Sequence, residues 1–373
     1  MAVEEPEEFG NTVSLRRRLA EDEPYGSAGR IRNRAHATYQ FLAQIGSERI
    51  PGRVGEFLGP LSVEGAPAGR VLHDTVLRRR VDQARLTMAR SRTVDWDELG
   101  RRIEPFVDTF AHDAAGAFPR PGFAPLGDTG LEILVDTDFR DPWLNEFHEI
   151  FLAGLTPDGT AEHYDIVGMS QAEAETAAAG WGILREYVPE LVQSIRPHFS
   201  LLAAVDGERP FFSASTKDVP SAVFVSRGCL TDPLRAAEAL LHEGVHSKLY
   251  DMYVGFSILG AGYDKDTIAH VKPAWHDGRE SWPFDRALAA YHVYVHLAVF
   301  YSTLAALPDD SALWRDYTRG QVEESARSCG ERARLLGADL LPLGEAHAGG
   351  SGVAFLRWLD SVLTDHLEAR SAA

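Results

Sequence analysis

The sequence is short of sulfur and of positive charge. Its 373 residues hold two cysteines, Cys229 and Cys329, and no CxxC pair. That excludes a cysteine zinc site and a disulfide framework, and both thiols read as small buried residues. Lys and Arg total 37 against 55 Asp and Glu, for a formal net charge of −18. A phosphate backbone needs a basic surface, so no nucleic-acid partner is expected. The short basic runs Arg16-Arg17-Arg18 and Arg78-Arg79-Arg80 read as solvated helix faces. No run of about 18 uncharged apolar residues occurs, so no membrane association is expected. The N-terminus, MAVEEPEEFG, lacks the basic start and apolar stretch of a signal peptide, and the expected location is cytoplasmic. No internal repeat is visible. Gly255, Gly260 and Gly262 lack the Lys-Ser/Thr that a phosphate loop requires.

What is present suffices for a large core: 45% of residues are hydrophobic and 25% charged. The expected class is α+β, mainly α. Residues 1–27 read as a flexible acidic tail, 28–196 as a helical N-terminal region, and 197–373 as a metal-binding catalytic region. Helical spacing runs through 28–60, broken near Pro51-Gly52 and Gly59-Pro60, and through much of 66–112. LEILV (131–135) suits a strand or a helix start. Helices are expected over 142–154 and 170–196, the second opened by a Ser170/Glu173 capping box.

After residue 197 the texture changes. SLLAAV (200–205) and PFFSAS (210–215) flank Asp206-Gly207 and read as a hairpin, with SAVFVS (221–226) as a third strand of a small antiparallel sheet. A long helix follows, capped by Thr231 or Asp232 with Pro233 at its first position. Residues 260–283 are irregular and rich in Gly, Pro and Trp, a texture that often marks function. An apolar helix is expected over 284–307, a more polar one over 310–338, a loop over 344–352 and a last helix over 353–368.

The chemistry concentrates in the long helix, in His242-Glu243-Gly244-Val245-His246. Residues four apart lie on one face, so two imidazoles reach one ion. Two such ligands need a third from elsewhere and open positions for reactants. Six of the fourteen histidines fall between 242 and 296. His292 and His296 form a second pair four apart on the next long helix. If that helix faces the first, His292 is the preferred third ligand, with His296 its rival. His276 and Glu280 are weaker candidates. Trp275, Trp282, Tyr291 and Tyr294 gather nearby in sequence, as a substrate wall or as core anchors.

Two enzymatic readings follow, beside a helical binding protein with an incidental motif. In a zinc peptidase, Glu243 is the general base for a zinc-bound water. Leu249 and Met252 stand where a metzincin has Gly and His, and nothing distinctive surrounds Glu323 or Glu324 as a carboxylate ligand. In a non-haem Fe(II) oxygenase, three protein ligands on one face leave three positions for co-substrate and oxygen.

Residues 200–305 resemble a known family, the HExxH-type 2-oxoglutarate-dependent peptide β-hydroxylases of natural-product biosynthesis. The resemblance lies in SAVFVS, in DPLRAAEALLHEGVHSKL, in KPAWHDGRESWPF, and in a helix ending in AVFY. Trp282-Pro283 stands where the family has Arg-Pro, and the family's Leu-His position falls near Leu288-Ala289. The resemblance implies iron on His242 and His246, with His292 or His296 completing the set. It implies 2-oxoglutarate and O2 as co-substrates, with Arg279 or Arg286 on the far carboxylate, and a side chain in a peptide, or in a free or carrier-bound amino acid, as substrate. Glu243 then need not be a base, and its expected role is to orient the site or to hydrogen-bond a metal ligand.

Overall fold

The computed structural model describes residues 7–62, 74–90, 92–114, 122–155, 164–207, 212–264, 270–276 and 281–372. They form a mainly helical α+β protein with one six-stranded sheet. The chain divides into two compact units. One comprises Arg32–Trp181 and His198–Glu243 and carries the sheet; the other comprises Met1–Ile31, Gly182–Pro197 and Gly244–Ala373 and is helical. Consecutive regions 28–196 and 197–373 are therefore not the units. The chain passes between the units several times, and most of those crossings fall inside helices, where no composition shift marks them.

In the sheet unit the strands are β1 (Phe123–Pro125), β2 (Glu132–Leu134), β3 (Tyr164–Val167), β4 (Leu201–Gly207), β5 (Ser213–Thr216) and β6 (Val219–Ser226). Their order is β1-β2-β4-β6-β5, and β3 pairs with β4 beyond the end of β2. The sheet is mixed, which corrects the small antiparallel sheet expected after residue 197. β4 runs parallel to both β2 and β6, while β1–β2, β3–β4 and β5–β6 are antiparallel. The expected hairpin between β4 and β5 does not form; β6 lies between them, and the tight hairpin is β5–β6. The reason is apolar content. Every residue of β6 from Val219 to Val225 is buried, as suits a strand covered on both faces. The half-exposed Ser-Ala-Ser-Thr of β5 is suited to an edge.

Helix Pro142–Leu155 covers one part of this unit with Trp143, Phe147 and Phe151 spaced four apart; Phe147 and Phe151 lie 5.9 and 4.7 Å from the Phe224 ring. Gly180 lets its helix approach closely, because a Cβ there would stand 2.8 Å from the Ala236 Cβ and the Pro233 carbonyl oxygen. The basic run at 78–80 is not a solvated face. Arg78 is buried, donates to the Tyr39 hydroxyl at 2.8 Å and pairs with Asp82. Arg79 pairs with Asp218 and Arg80 with Glu146.

The helical unit is built around Phe284–Ala305, which is buried on nearly all sides. It packs most extensively on Arg319–His347, with further contacts to Gly350–Ala372 and Glu7–Glu21. Phe284–Ala305 is long and apolar enough by composition to cross a bilayer, but 89% of its most apolar window is buried in the protein, as in a core helix. Glu7–Glu21 corrects the flexible tail expected over 1–27: it is helical, Leu15 and Leu19 are buried, and Arg16 pairs with Glu190 at 3.0 Å. Residues 1–6 lie outside the described residues. The expected loop at 344–352 shrinks to a break between His347 and Gly350. There Gly349 and Gly352 donate to the Ile258 and Ser257 carbonyls, and any Cβ would collide with those oxygens.

Candidate metal centre on the HExxH helix

Helix Pro233–Gly255 starts as its sequence dictates. Pro233 occupies the first turn, and the Asp232 carboxylate accepts from the Arg235 N–H at 2.9 Å. Its Leu240, Leu241, Val245 and Leu249 are buried, so the helix is held by packing. The division between the units falls within it, after Glu243. The spacing of the motif is thus set by the helix itself. His242, Glu243 and His246 present ligand atoms all within 4.8 Å of one another, and among the described residues they are the only group of three or more His, Cys, Asp or Glu to do so. Both histidines are half-buried and Glu243 is buried. The donor set fits a divalent metal: two imidazoles one turn apart, with a carboxylate beside them.

Glu243 is held from the sheet. Ser213 donates to its Oε1 at 2.6 Å and Ser215 to its Oε2 at 2.7 Å, and the His242 Nε2 lies 3.8 Å from Oε1. The two serines sit two residues apart on β5, so an extended strand turns both toward one face. The β5–β6 ladder shifts register between Ala214 and Thr216, and on β6 Ser221 adopts φ 63°. Such irregularities often re-aim a side chain beside a functional site. The alternating Ser-Ala-Ser was visible in the sequence, but nothing there linked it to a glutamate some thirty residues later.

The ring of His246 stacks on Tyr250 with centroids 6.2 Å apart. Further along the helix, Lys248 is fully buried, and its ammonium donates to the Leu19 and Gly26 carbonyls and to Ser194 Oγ at 3.1, 2.7 and 2.6 Å. Burial pushes its pKa down to about 7.

His292 and His296 do not join the group of three. Both are buried; their rings meet edge-on at 4.6 Å, and His292 stands 5.1 Å from Phe355. The Nδ1 of His296 lies 2.8 Å from the His292 carbonyl. Burial first, and then the Lys248 charge, lower the His296 pKa to about 3, so its imidazole is neutral. Arg279 and Glu280 lie outside the described residues, as does the side chain of His276. Arg286 is exposed and lies over the Trp282 ring at 4.7 Å. Trp275 meets Trp282 and Tyr294 edge-on, and the Arg332 guanidinium, which sequence reading missed, stands 5.4 Å from the Trp275 and Tyr294 rings. Glu323 and Glu324 are exposed, and Glu324 pairs with Arg327.

Compared with models of known families and with curated proteins, the chain matches none.

Proposed function

We propose that this protein is a non-haem Fe(II)- and 2-oxoglutarate-dependent oxygenase that hydroxylates a side-chain carbon, by resemblance the β-carbon, of an amino acid in a peptide or of a free or carrier-bound amino acid. The observation that carries the reading is the group His242, Glu243 and His246 on one rigid helix. His242 and His246 are the imidazole donors to the ion, and Glu243 sets a fixed carboxylate beside it. His292 is the further ligand implied by the family resemblance; it lies outside the group of three, with its ring edge-on to His296 and Phe355. Of the two arginines suggested for the far carboxylate of the keto acid, Arg286 is the one described, and its guanidinium fork suits a carboxylate. Bound iron and 2-oxoglutarate supply the oxidation, in which one atom of O2 ends in the substrate's C–OH and the other in succinate, with release of CO2.

A zinc hydrolase with Glu243 as general base is the second reading, favoured by the same three residues. A base has to take a proton from metal-bound water and pass it on. A carboxylate with a serine hydroxyl on each oxygen is fixed in place, which suits an orienting role better. The two readings separate in one experiment. Metal-stripped protein is given Fe(II) and 2-oxoglutarate without oxygen, and its visible spectrum is recorded beside that of His242→Ala. A weak charge-transfer band in the wild type alone supports keto-acid chelation at this helix. Absence of the band in folded, iron-loaded protein overturns the oxygenase and sends the search to zinc content and peptide hydrolysis.

A further inference from the structure

We infer that Ser213 and Ser215 are positioning residues for the metal centre, acting through Glu243. The inference rests on the metal reading of His242 and His246 and adds to it two residues from a separate part of the chain. Glu243 is 1% exposed, and a carboxylate buried to that degree needs partners. Each of its oxygens receives one hydroxyl, at 2.6 Å and 2.7 Å, lengths expected for O–H donors to a charged acceptor. The two donors come from alternate positions of one short edge strand, so the carboxylate plane is fixed by two points and cannot rotate without breaking one contact. Oε1, the oxygen held by Ser213, is also the one 3.8 Å from the His242 Nε2. The serines therefore set the distance between the carboxylate and one ring nitrogen of His242. Each carboxylate oxygen keeps a second lone pair for a metal or a metal-bound water.

A merely structural role for these hydroxyls would show in stability and nowhere else; a positioning role shows in the metal. The test titrates the full-length chain with Co(II), following the visible d–d bands, for wild type, Ser213→Ala, Ser215→Ala, the double alanine variant, and Ser213→Thr, which keeps a hydroxyl on the strand. The expected result is Co(II) affinity lowered about tenfold or more in the double variant, with altered bands, and near wild-type behaviour in Ser213→Thr. In a Glu243→Gln background the same serine changes are expected to add little, because their effect passes through the carboxylate. Where the double variant fails to fold, each single alanine variant carries the test. Unchanged affinity and bands in folded alanine variants overturn the inference while leaving the metal site standing. Wild type that binds no Co(II), or His242→Ala that binds it equally well, overturns the metal reading and this inference with it.

Discussion

The ammonium of Lys248 donates to Ser194 Oγ across 2.6 Å in the interior of the helical unit, and none of its three acceptors is a carboxylate. Two of those acceptors, the Leu19 and Gly26 carbonyls, bracket the turn between helices Glu7–Glu21 and Ala28–Arg49. Lys248 thus ties the later part of helix Pro233–Gly255 to helix Glu7–Glu21. Lys248→Ala removes these bonds and leaves a cavity where a fully buried stem had been. The expected loss is about 3 kcal/mol in urea unfolding, as for other large-to-small core changes. Faster amide exchange is expected at residues 22–27. An unchanged unfolding midpoint would show that the tie contributes nothing.

Glycine at the last helix junction gives a sharper contrast. A Cβ on Gly352 would sit 1.9 Å from the Ile258 carbonyl oxygen, a backbone atom that cannot swing aside. A Cβ on Gly262 would meet nothing within 4 Å. Gly352→Ala is expected to cost about 3 kcal/mol or more, and Gly262→Ala to stay within about 0.5 kcal/mol of wild type. Thermal unfolding of the two variants side by side decides it, and equal midpoints would contradict the close packing of this junction.

The same junction shows where sequence reading succeeds and where it stops. Periodicity and caps place the long helices: Asp232 and Pro233 open helix Pro233–Gly255, and Ser170 and Glu173 form their box, with Ser170 N–H to Glu173 Oε2 at 2.8 Å. These are local signals, fixed by residues within one turn. GEAHAGGSG looked like a loop because Gly is a poor helix former, but the glycines are there to let two backbones touch, a tertiary cause that composition does not reveal. Strand pairing failed for a similar reason. β4 and β5 are neighbours in sequence, yet the more apolar β6 takes the place between them. At the candidate site, the pairing of His242 and His246 on one helix face is legible from a spacing of four, whereas the contact of Ser213 and Ser215 with Glu243 is not, because only the fold brings β5 to Glu243. The arginine runs misled because charge alone does not tell a solvated guanidinium from Arg78 against Tyr39 and Asp82.

If the helix holds a metal through its two imidazoles, each is indispensable. Wild type is expected to bind about one divalent ion per chain, and His242→Ala or His246→Ala alone to abolish stoichiometric binding, measured by elemental analysis after gel filtration. Metal should also raise the melting temperature of wild type and not of the variants, because a ligand that binds only the folded state stabilises it by mass action. A melting temperature that rises equally in His246→Ala would place the ion elsewhere.

Glu243→Gln separates the two chemistries at one position. The amide keeps the size of the side chain and one oxygen to accept a serine hydroxyl, and its NH2 can donate to the other serine, so the variant is expected to fold. In an oxygenase the carboxylate orients the site without moving a proton. The variant should then keep the charge-transfer band with Fe(II) and 2-oxoglutarate, with metal affinity reduced about tenfold or more. In a zinc hydrolase the same change removes the base, so zinc stays bound while peptide cleavage falls at least about a hundredfold. Iron-loaded and zinc-loaded Glu243→Gln measured in parallel tell the two apart. A retained band with no hydrolysis by zinc-loaded wild type assigns the oxygenase. Zinc-dependent hydrolysis by wild type, lost in the variant, reverses the assignment.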